Sequence, residues 1–219
     1  MEKSFNGLNV LLTAGPTYEP IDPVRFIGNH STGKMGYALA ECFASHGAKV
    51  QLVSGPTNLK AQHPAITVTP VTTADEMYQA VQALAPDAAV LVFAAAVADY
   101  KPKVVADKKI KKEGDDMTIE LVRNVDIAAA LGKTKKEGQF SVGFALETDN
   151  ESRNARQKLE KKNLDMIVLN SLNDPGAGFR HDTNKITIIE RDATTAFELK
   201  QKSEVAQDIV NLIWERLHA

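Results

Sequence analysis

Three consecutive stretches decide the fold: LNVLLT (8–13), AGPTYEPIDPVRFIGNHST (14–32) and GKMGYALAECFASHG (33–47). The first is an apolar run of β-type residues. The second is a Gly/Pro/Asn-rich loop. In the third, Met35, Ala38, Leu39, Cys42 and Phe43 recur at helical spacing, and Gly47 stands where a helix C-cap belongs. KVQLVS (49–54) then reads as a second strand, which completes a β-loop-α-β unit of a parallel sheet. Outward from this unit, Ile66 to Val71 is β-like, Ala74 to Ala85 helical, and AAVLVFA (88–94) a strand buried on both faces.

After Tyr100 the pattern changes. Six lysines fall between Lys101 and Lys112, and Gly114 leads into the alternating run MTIELV (117–122). This reads as a basic flap, about 101–116, entering a strand. Asp126 to Leu131 suggests a short helix, Phe140 to Ala145 a strand, Glu151 to Lys162 a helix and Met166 to Asn170 a strand. Asp174, Pro175, Gly176, Gly178, Asp182 and Asn184 mark a loop. Lys185 to Glu190 and Ala196 to Leu199 are expected to pair antiparallel, and Val205, Ile209, Leu212 and Ile213 form the stripe of a terminal helix. The whole predicts one domain over 1–219: an α/β, Rossmann-like, doubly wound and mainly parallel sheet with a small antiparallel extension. Ligands of such sheets bind beyond the carboxyl ends of the strands.

Composition narrows the chemistry. The 219 residues carry 26 Lys+Arg against 28 Asp+Glu, a formal net charge of -2, and 43% are hydrophobic, which suits a globular core and excludes disordered and collagen-like classes. That balance argues against a nucleic-acid partner. There is no signal-peptide pattern and no long uninterrupted apolar run, so no membrane association is expected and a cytoplasmic location is. Cys42 is a single cysteine and the five histidines (30, 46, 63, 181 and 218) show no ligand spacing, so zinc and dithiol chemistry are not expected.

Gly28 to Lys34 (GNHSTGK) satisfies the G-x-x-x-x-G-K part of a P-loop, but Met35 stands where Ser or Thr would hold Mg²⁺, and the strand lies about twenty residues upstream. What remains is a helix N-terminus suited to an anion, or simply a Ser/Thr-capped helix. AAAVADY (94–100) offers small residues for close ligand approach and one carboxylate, or tight packing with a capping Asp. KIKK (109–112) reads as a lysine flap closing over phosphates or as a solvated charge run. Lys158 and Lys162 share a helix face, and Arg25 is a planar fork for a phosphate or carboxylate. Neither a G-x-G-x-x-G fingerprint nor a Tyr/Lys pair supports a nicotinamide reductase. A non-catalytic nucleotide-binding regulator on the same fold stays open.

Taken in order, AGPTYEPIDPVRFIGNHSTGKMG (14–36), AAAVADY (94–100), KIKK (109–112), RNVDI (123–127) and GFALET (143–148) resemble the phosphopantothenate–cysteine ligases of coenzyme A biosynthesis, in their stand-alone bacterial form. The resemblance implies that the carboxylate of 4'-phosphopantothenate attacks the α-phosphate of CTP, with Mg²⁺ on the triphosphate. An acyl-cytidylate and pyrophosphate result, and the amine of L-cysteine then displaces CMP. By the same resemblance Asn29 holds the activated acyl group and Arg25 lies beside the substrate. Ala95, Ala96 and Asp99 meet the nucleotide, and Lys109 serves formation of the acyl-cytidylate. Val125, Asp126, Ile127 and Ala128 lie against the nucleotide, Val125 standing where the family often has Pro. Phe144 contacts the base, and Lys158 and Lys162 approach the triphosphate. The family's members are homodimers, and its bacterial members prefer CTP, with the base read through backbone groups.

Overall fold

The computed structural model describes residues 3–111, 114–147, 149–171 and 181–218. The first half runs β1 (Asn9–Ala14), β2 (Tyr18–Pro20), β3 (Phe26–Gly28), α1 (Lys34–Ser45), β4 (Lys49–Ser54), β5 (Ile66–Pro70), α2 (Ala74–Leu84) and β6 (Val90–Phe93). The second runs β7 (Tyr100–Pro102), β8 (Leu121–Arg123), α3 (Ile127–Thr134), β9 (Phe140–Glu147), α4 (Glu151–Lys161) and β10 (Met166–Ser171). It ends with β11 (Thr183–Asn184), β12 (Ile186–Glu190), β13 (Thr194–Ala196), β14 (Lys200–Gln201) and α5 (Lys202–Leu217).

Eight strands form one sheet in the order β13-β12-β10-β9-β6-β1-β4-β5. The six from β5 to β10 pair in parallel, while β12 and β13 add an antiparallel edge. This is the doubly wound, Rossmann-like α/β sheet expected from the sequence. Chain order reverses between β1 and β6, the switch point at which such sheets open a crevice.

Successive strand residues point to opposite faces, and both faces are covered. Val10 and Leu12 pack with Leu39, Phe43, Ile209 and Ile213 under α1 and α5, whereas Leu11 packs with Met77, Val81, Ile127 and Leu131 under α2 and α3. Ile167 and Leu169 meet Ala155 and Leu159 of α4. Helix α1 lies close on β1 because Gly36 has no side chain: a Cβ there would sit 2.5 Å from that of Ala14.

Three local expectations shift. The loop 14–32 contains a hairpin, β2 with β3, in which Tyr18 and Phe26 stack with ring centroids 3.9 Å apart. Of MTIELV only the end is strand, because Leu121–Arg123 alone pairs with β7, and Met117 is 52% exposed; alternation without a surface to bury against does not make a strand. The antiparallel edge is made by Thr194–Ala196, not Ala196–Leu199. Asp174, Pro175, Gly176 and Gly178 of the expected loop, Lys112 of the flap and Thr148 of GFALET lie outside the described residues.

Candidate functional site

The connection after β6, residues 94–99, forms a shelf at the carboxyl ends of the strands. Its shape comes from backbone groups captured by neighbours. Thr13 Oγ1 accepts from the Ala95 N–H (3.2 Å), and buried Thr17 Oγ1 accepts from the Ala98 N–H (3.0 Å). The Ala96 N–H donates to Gly15 O (2.9 Å), and the Thr17 N–H to Ala96 O (3.3 Å). From the far side, Asn124 Nδ2 donates to Ala98 O (2.8 Å) and its backbone N–H to Asp99 O (2.9 Å). Neighbouring strand ends thus clamp a segment whose alanines alone would not fix it.

Two cavities open at this shelf, one on each face of the sheet. The first, about 180 Å³, is lined by Ala95, Asp99, Val125, Asp126, Ile127, Ala128, Phe144, Lys158 and Lys162, together with Thr13, Asn124, Gly143 and Leu164 among others. The second, about 300 Å³, is lined by Asn29, the head of α1 from Ser31 to Gly36, Ala94 to Val97, Phe144, Asn170, Asn184 and Lys202 among others. Ala95, Val97 and Phe144 belong to both. Ala96 lines only the second of the two, and Lys109 lines neither.

In the first cavity the turn before α3 forms without a proline at 125. Asp126 caps the helix, its Oδ1 accepting from the Ala129 N–H at 3.1 Å. Both lysines hold carboxylates: Lys158 Nζ lies 2.6 Å from Glu147 Oε1, and Lys162 Nζ 3.0 Å from Asp126 Oδ2. The lysine side chains are 43% and 25% exposed. Pairs of this kind contribute about 0.2–1 kcal/mol and yield readily to a stronger anion.

The second cavity has a different character. Gly33 is the N-cap of α1 at φ 80, a left-handed backbone that glycine adopts freely, and no side chain caps the helix. The Ser/Thr-capped alternative is thereby removed, and the first turn of α1, whose positive dipole end favours an anion, lines the cavity. Lys34 pairs with Asp182 at 2.5 Å, and Lys202 Nζ donates to His181 O at 2.6 Å. Burial, then the neighbouring Lys34 cation, pulls the Lys202 ammonium below the usual lysine range. Asn29 Nδ2 donates to Ala96 O (3.0 Å) and Val97 O (3.3 Å), which ties the end of the 14–32 loop to the shelf. Among the described residues, two buried amide oxygens have no hydrogen-bond partner, Asn124 Oδ1 beside the first cavity and Asn184 Oδ1 beside the second.

Arg25 lies apart from both cavities. Its guanidinium holds Asp22 and the carbonyl of Ile110 in the flap, next to Lys109. Cys42 packs against the core, and burial pushes its thiol up to about 11, which leaves it inert as a nucleophile at neutral pH. Thr13, Thr17 and Asn124 do not stand out in the sequence. The signal available is the carboxyl-end position of Thr13 and the segment RNVDI itself; the burial of Thr17 beneath the shelf is a tertiary fact.

Residues 5–217 match the family described as the DNA/pantothenate metabolism flavoprotein C-terminal domain. The coenzyme A biosynthesis bifunctional protein CoaBC of Haemophilus influenzae is 46% identical over 215 residues, 98% of this chain and 53% of that protein. A cysteine/cysteine sulfinic acid decarboxylase from an unknown prokaryotic organism is 53% identical over 218 residues, 99% of this chain and 61% of that protein. The chain therefore spans little more than half the length of these relatives. The crystal structure of the C-terminal domain of CoaBC superposes with a TM-score of 0.83 at 40% identity, covering 100% of this chain and 99% of that one. On the match over nearly its whole length, the chain belongs to the family of the DNA/pantothenate metabolism flavoprotein C-terminal domain.

Proposed function

We propose that the chain is a phosphopantothenate–cysteine ligase of coenzyme A biosynthesis that uses CTP. The observation that carries this reading is the convergence of nine residues from four separate segments on the first cavity, with Asn29 in the adjoining one. Family membership and the likeness to CoaBC support it.

The carboxylate oxygen of 4'-phosphopantothenate attacks the α-phosphorus of CTP and the bond to the β-phosphate bridge breaks. Pyrophosphate leaves and an acyl-cytidylate remains. The amine of L-cysteine then attacks the acyl carbon, CMP departs and the amine proton is lost to solvent. No protein nucleophile enters, so catalysis is positioning and charge stabilisation. In this reading the base and ribose occupy the first cavity against Phe144 and the 125–128 turn, close to Asp99. Lys158 and Lys162 exchange Glu147 and Asp126 for triphosphate oxygens, a trade that favours the more highly charged partner. Ala95 and Ala96 let the α-phosphate approach the backbone. Asn29 turns its amide N–H from the shelf carbonyls to the acyl oxygen, where charge develops, and Lys109 closes from the flap during the first half-reaction.

Mg²⁺ belongs to the triphosphate. Among the described residues no group of three or more His, Cys, Asp or Glu side chains could cage a metal, and Mg²⁺ binds through phosphate oxygens with one or two carboxylates. Asp99 and Asp126 are the carboxylates at the nucleotide cavity. A homodimer is part of the proposal. Phe26, Val104, Val105, Met117 and Leu121 are 42–77% exposed on the hairpins and flap, an apolar surface that a second copy would cover. No helix among the described residues is long and apolar enough to cross a membrane.

The deciding experiment is pyrophosphate release from CTP by purified protein with 4'-phosphopantothenate and Mg²⁺, with and without cysteine, with ATP in parallel. Phosphopantothenate-dependent release favouring CTP is expected. Asn29→Asp should release pyrophosphate and accumulate acyl-cytidylate. No release with either nucleotide from folded protein returns the chain to a nucleotide-binding regulator. Carbon dioxide release from cysteine sulfinic acid would instead bring in the chemistry named for the 53% relative.

A further inference from the structure

Asp22 is the most heavily engaged carboxylate in the first loop, and it touches neither cavity. Its side chain is fully buried. Oδ1 accepts from the backbone N–H groups of Val24 and Arg25, each at 2.9 Å. Oδ2 accepts from Arg25 Nε (3.0 Å), from Arg25 Nη2 (2.5 Å) and, across 88 residues of chain, from the backbone N–H of Ile110 (3.1 Å). Arg25 Nη2 then donates to the Ile110 carbonyl at 3.1 Å. Both backbone polar groups of one flap residue are therefore held by one ion pair whose carboxylate is buried, much as a partner strand would hold them.

Among the described residues, little else holds that stretch of flap. The Ala106 N–H reaches Ile21 O (3.0 Å), in the same short loop as Asp22, and Lys103 pairs with Glu120 at the flap's base. Within a single protomer Val104 and Val105 are 77% and 48% exposed, so the protomer's own apolar burial contributes little order here. Ile110 follows Lys109 directly. The peptide that fixes Ile110 thus sets where the Lys109 side chain begins.

We infer that Asp22, through Arg25, is a positioning residue that latches the flap at Ile110 and so presents Lys109 to the nucleotide site. Arg25 acts here as a clamp on the flap. The guanidinium fork suits this role because it spans a carboxylate oxygen and a peptide carbonyl together, which an ammonium point charge does not. The arginine also keeps the Asp22 carboxyl far below the usual carboxylate range, against the opposing effect of burial. The catalytic consequence rests on the ligase reading; the latch itself does not.

Two readouts separate the two. Trypsin cleavage after Lys108, Lys109 and Lys111 reports the latch in the protein alone. Pyrophosphate release, compared with cysteine acylation by synthetic acyl-cytidylate, reports its consequence. Asp22→Asn is expected to raise flap cleavage at least tenfold with unchanged circular dichroism. Its kcat for pyrophosphate release should fall about 100-fold, the scale of a misplaced catalytic group, and far more than acylation falls. Arg25→Lys, at a half-exposed position, carries the same expectation in weaker form and keeps the test alive if Asp22→Asn does not fold. Wild-type flap cleavage in folded Asp22→Asn or Arg25→Lys protein overturns the latch. So does a rise in KM for 4'-phosphopantothenate in Arg25→Lys with kcat and cleavage unchanged, which would make Arg25 a substrate contact. If wild-type protein releases no pyrophosphate yet Asp22→Asn opens the flap, the latch stands and the ligase reading fails.

Discussion

The shelf at 94–99 and the flap after it are neighbours in sequence but are held by different physics. The shelf is gripped through its backbone by Thr13, Gly15, Thr17, Asn29 and Asn124, groups that the sheet and its adjoining loops bring together. The flap residue Ile110 is gripped by the Asp22–Arg25 pair and, among the described residues, by no strand. One part of the site is therefore as stable as the core beneath it, and the other opens at the cost of a few hydrogen bonds. On the ligase reading proposed above, such a fold keeps the nucleotide geometry rigid and leaves the Lys109 charge to be set by the latch.

The strongest way to break the comparison is Lys109→Gln. Pyrophosphate release should fall about 10²–10³-fold, the range for losing one preorganised charge-stabilising group, with no change in Tm because Lys109 is exposed. A matching fall in Tm would show that the flap belongs to the core. Thr17→Val should do the reverse. It leaves the Ala98 N–H buried and unpaired, which costs about 1–3 kcal/mol. Thermal unfolding should move down by several degrees, and both half-reactions should decline together. Equal Tm in this variant would mean that the shelf does not depend on the hydroxyl.

Smaller effects sharpen the contrast. Lys158→Gln and Lys162→Gln should each raise KM for CTP roughly tenfold, about 1.4 kcal/mol, without altering flap cleavage. Hydrogen exchange at the Ile110 amide tests the latch against pH. Arg25 is the charged group facing Asp22, and it lowers the carboxyl below its unfolded value. The latch is then complete above about pH 4 and is lost only as pH falls through the lower folded value. Protection of Ile110 should stay flat from about pH 5 to 8. The least effect belongs to Cys42. With its thiol pushed up to about 11, alkylation at pH 8 should proceed at the rate of a thiol ionised about one part in a thousand, rising tenfold per pH unit. Rapid labelling at pH 8 would show that α1 opens away from the core.

Much of the sheet was legible because its strands are apolar on both faces and its helices carry stripes at helical spacing. Both signals are local. KVQLVS appears as strand at the expected bounds, and α1 and α4 lie within a residue of theirs. The β2–β3 hairpin was not legible. Tyr18–Pro20 and Phe26–Gly28 are too short for a period to register, and the Tyr18–Phe26 stack that joins them crosses a loop of prolines. MTIELV failed for the opposite reason: it has the period of a strand but, over most of its length, no partner strand among the described residues.

The same division runs through the candidate site. The small residues and carboxylate at 95–99 and the lysines at 158 and 162 could be read from sequence as groups suited to a ligand with phosphates, whereas 29, 125–128 and 144 were implied by the family resemblance. Their meeting at one crevice depends on the reversal of strand order between β1 and β6, which no local pattern encodes. Arg25 makes the point in a single residue. As a sequence element it is a fork for any anion. Only the folded chain puts a buried carboxylate three residues before it and the peptide of Ile110 85 residues after it within reach of that fork. Hydrophobic periodicity acts over a few residues and so is written in the sequence. Which polar group satisfies which is settled between distant segments, where burial forbids leaving either unpaired.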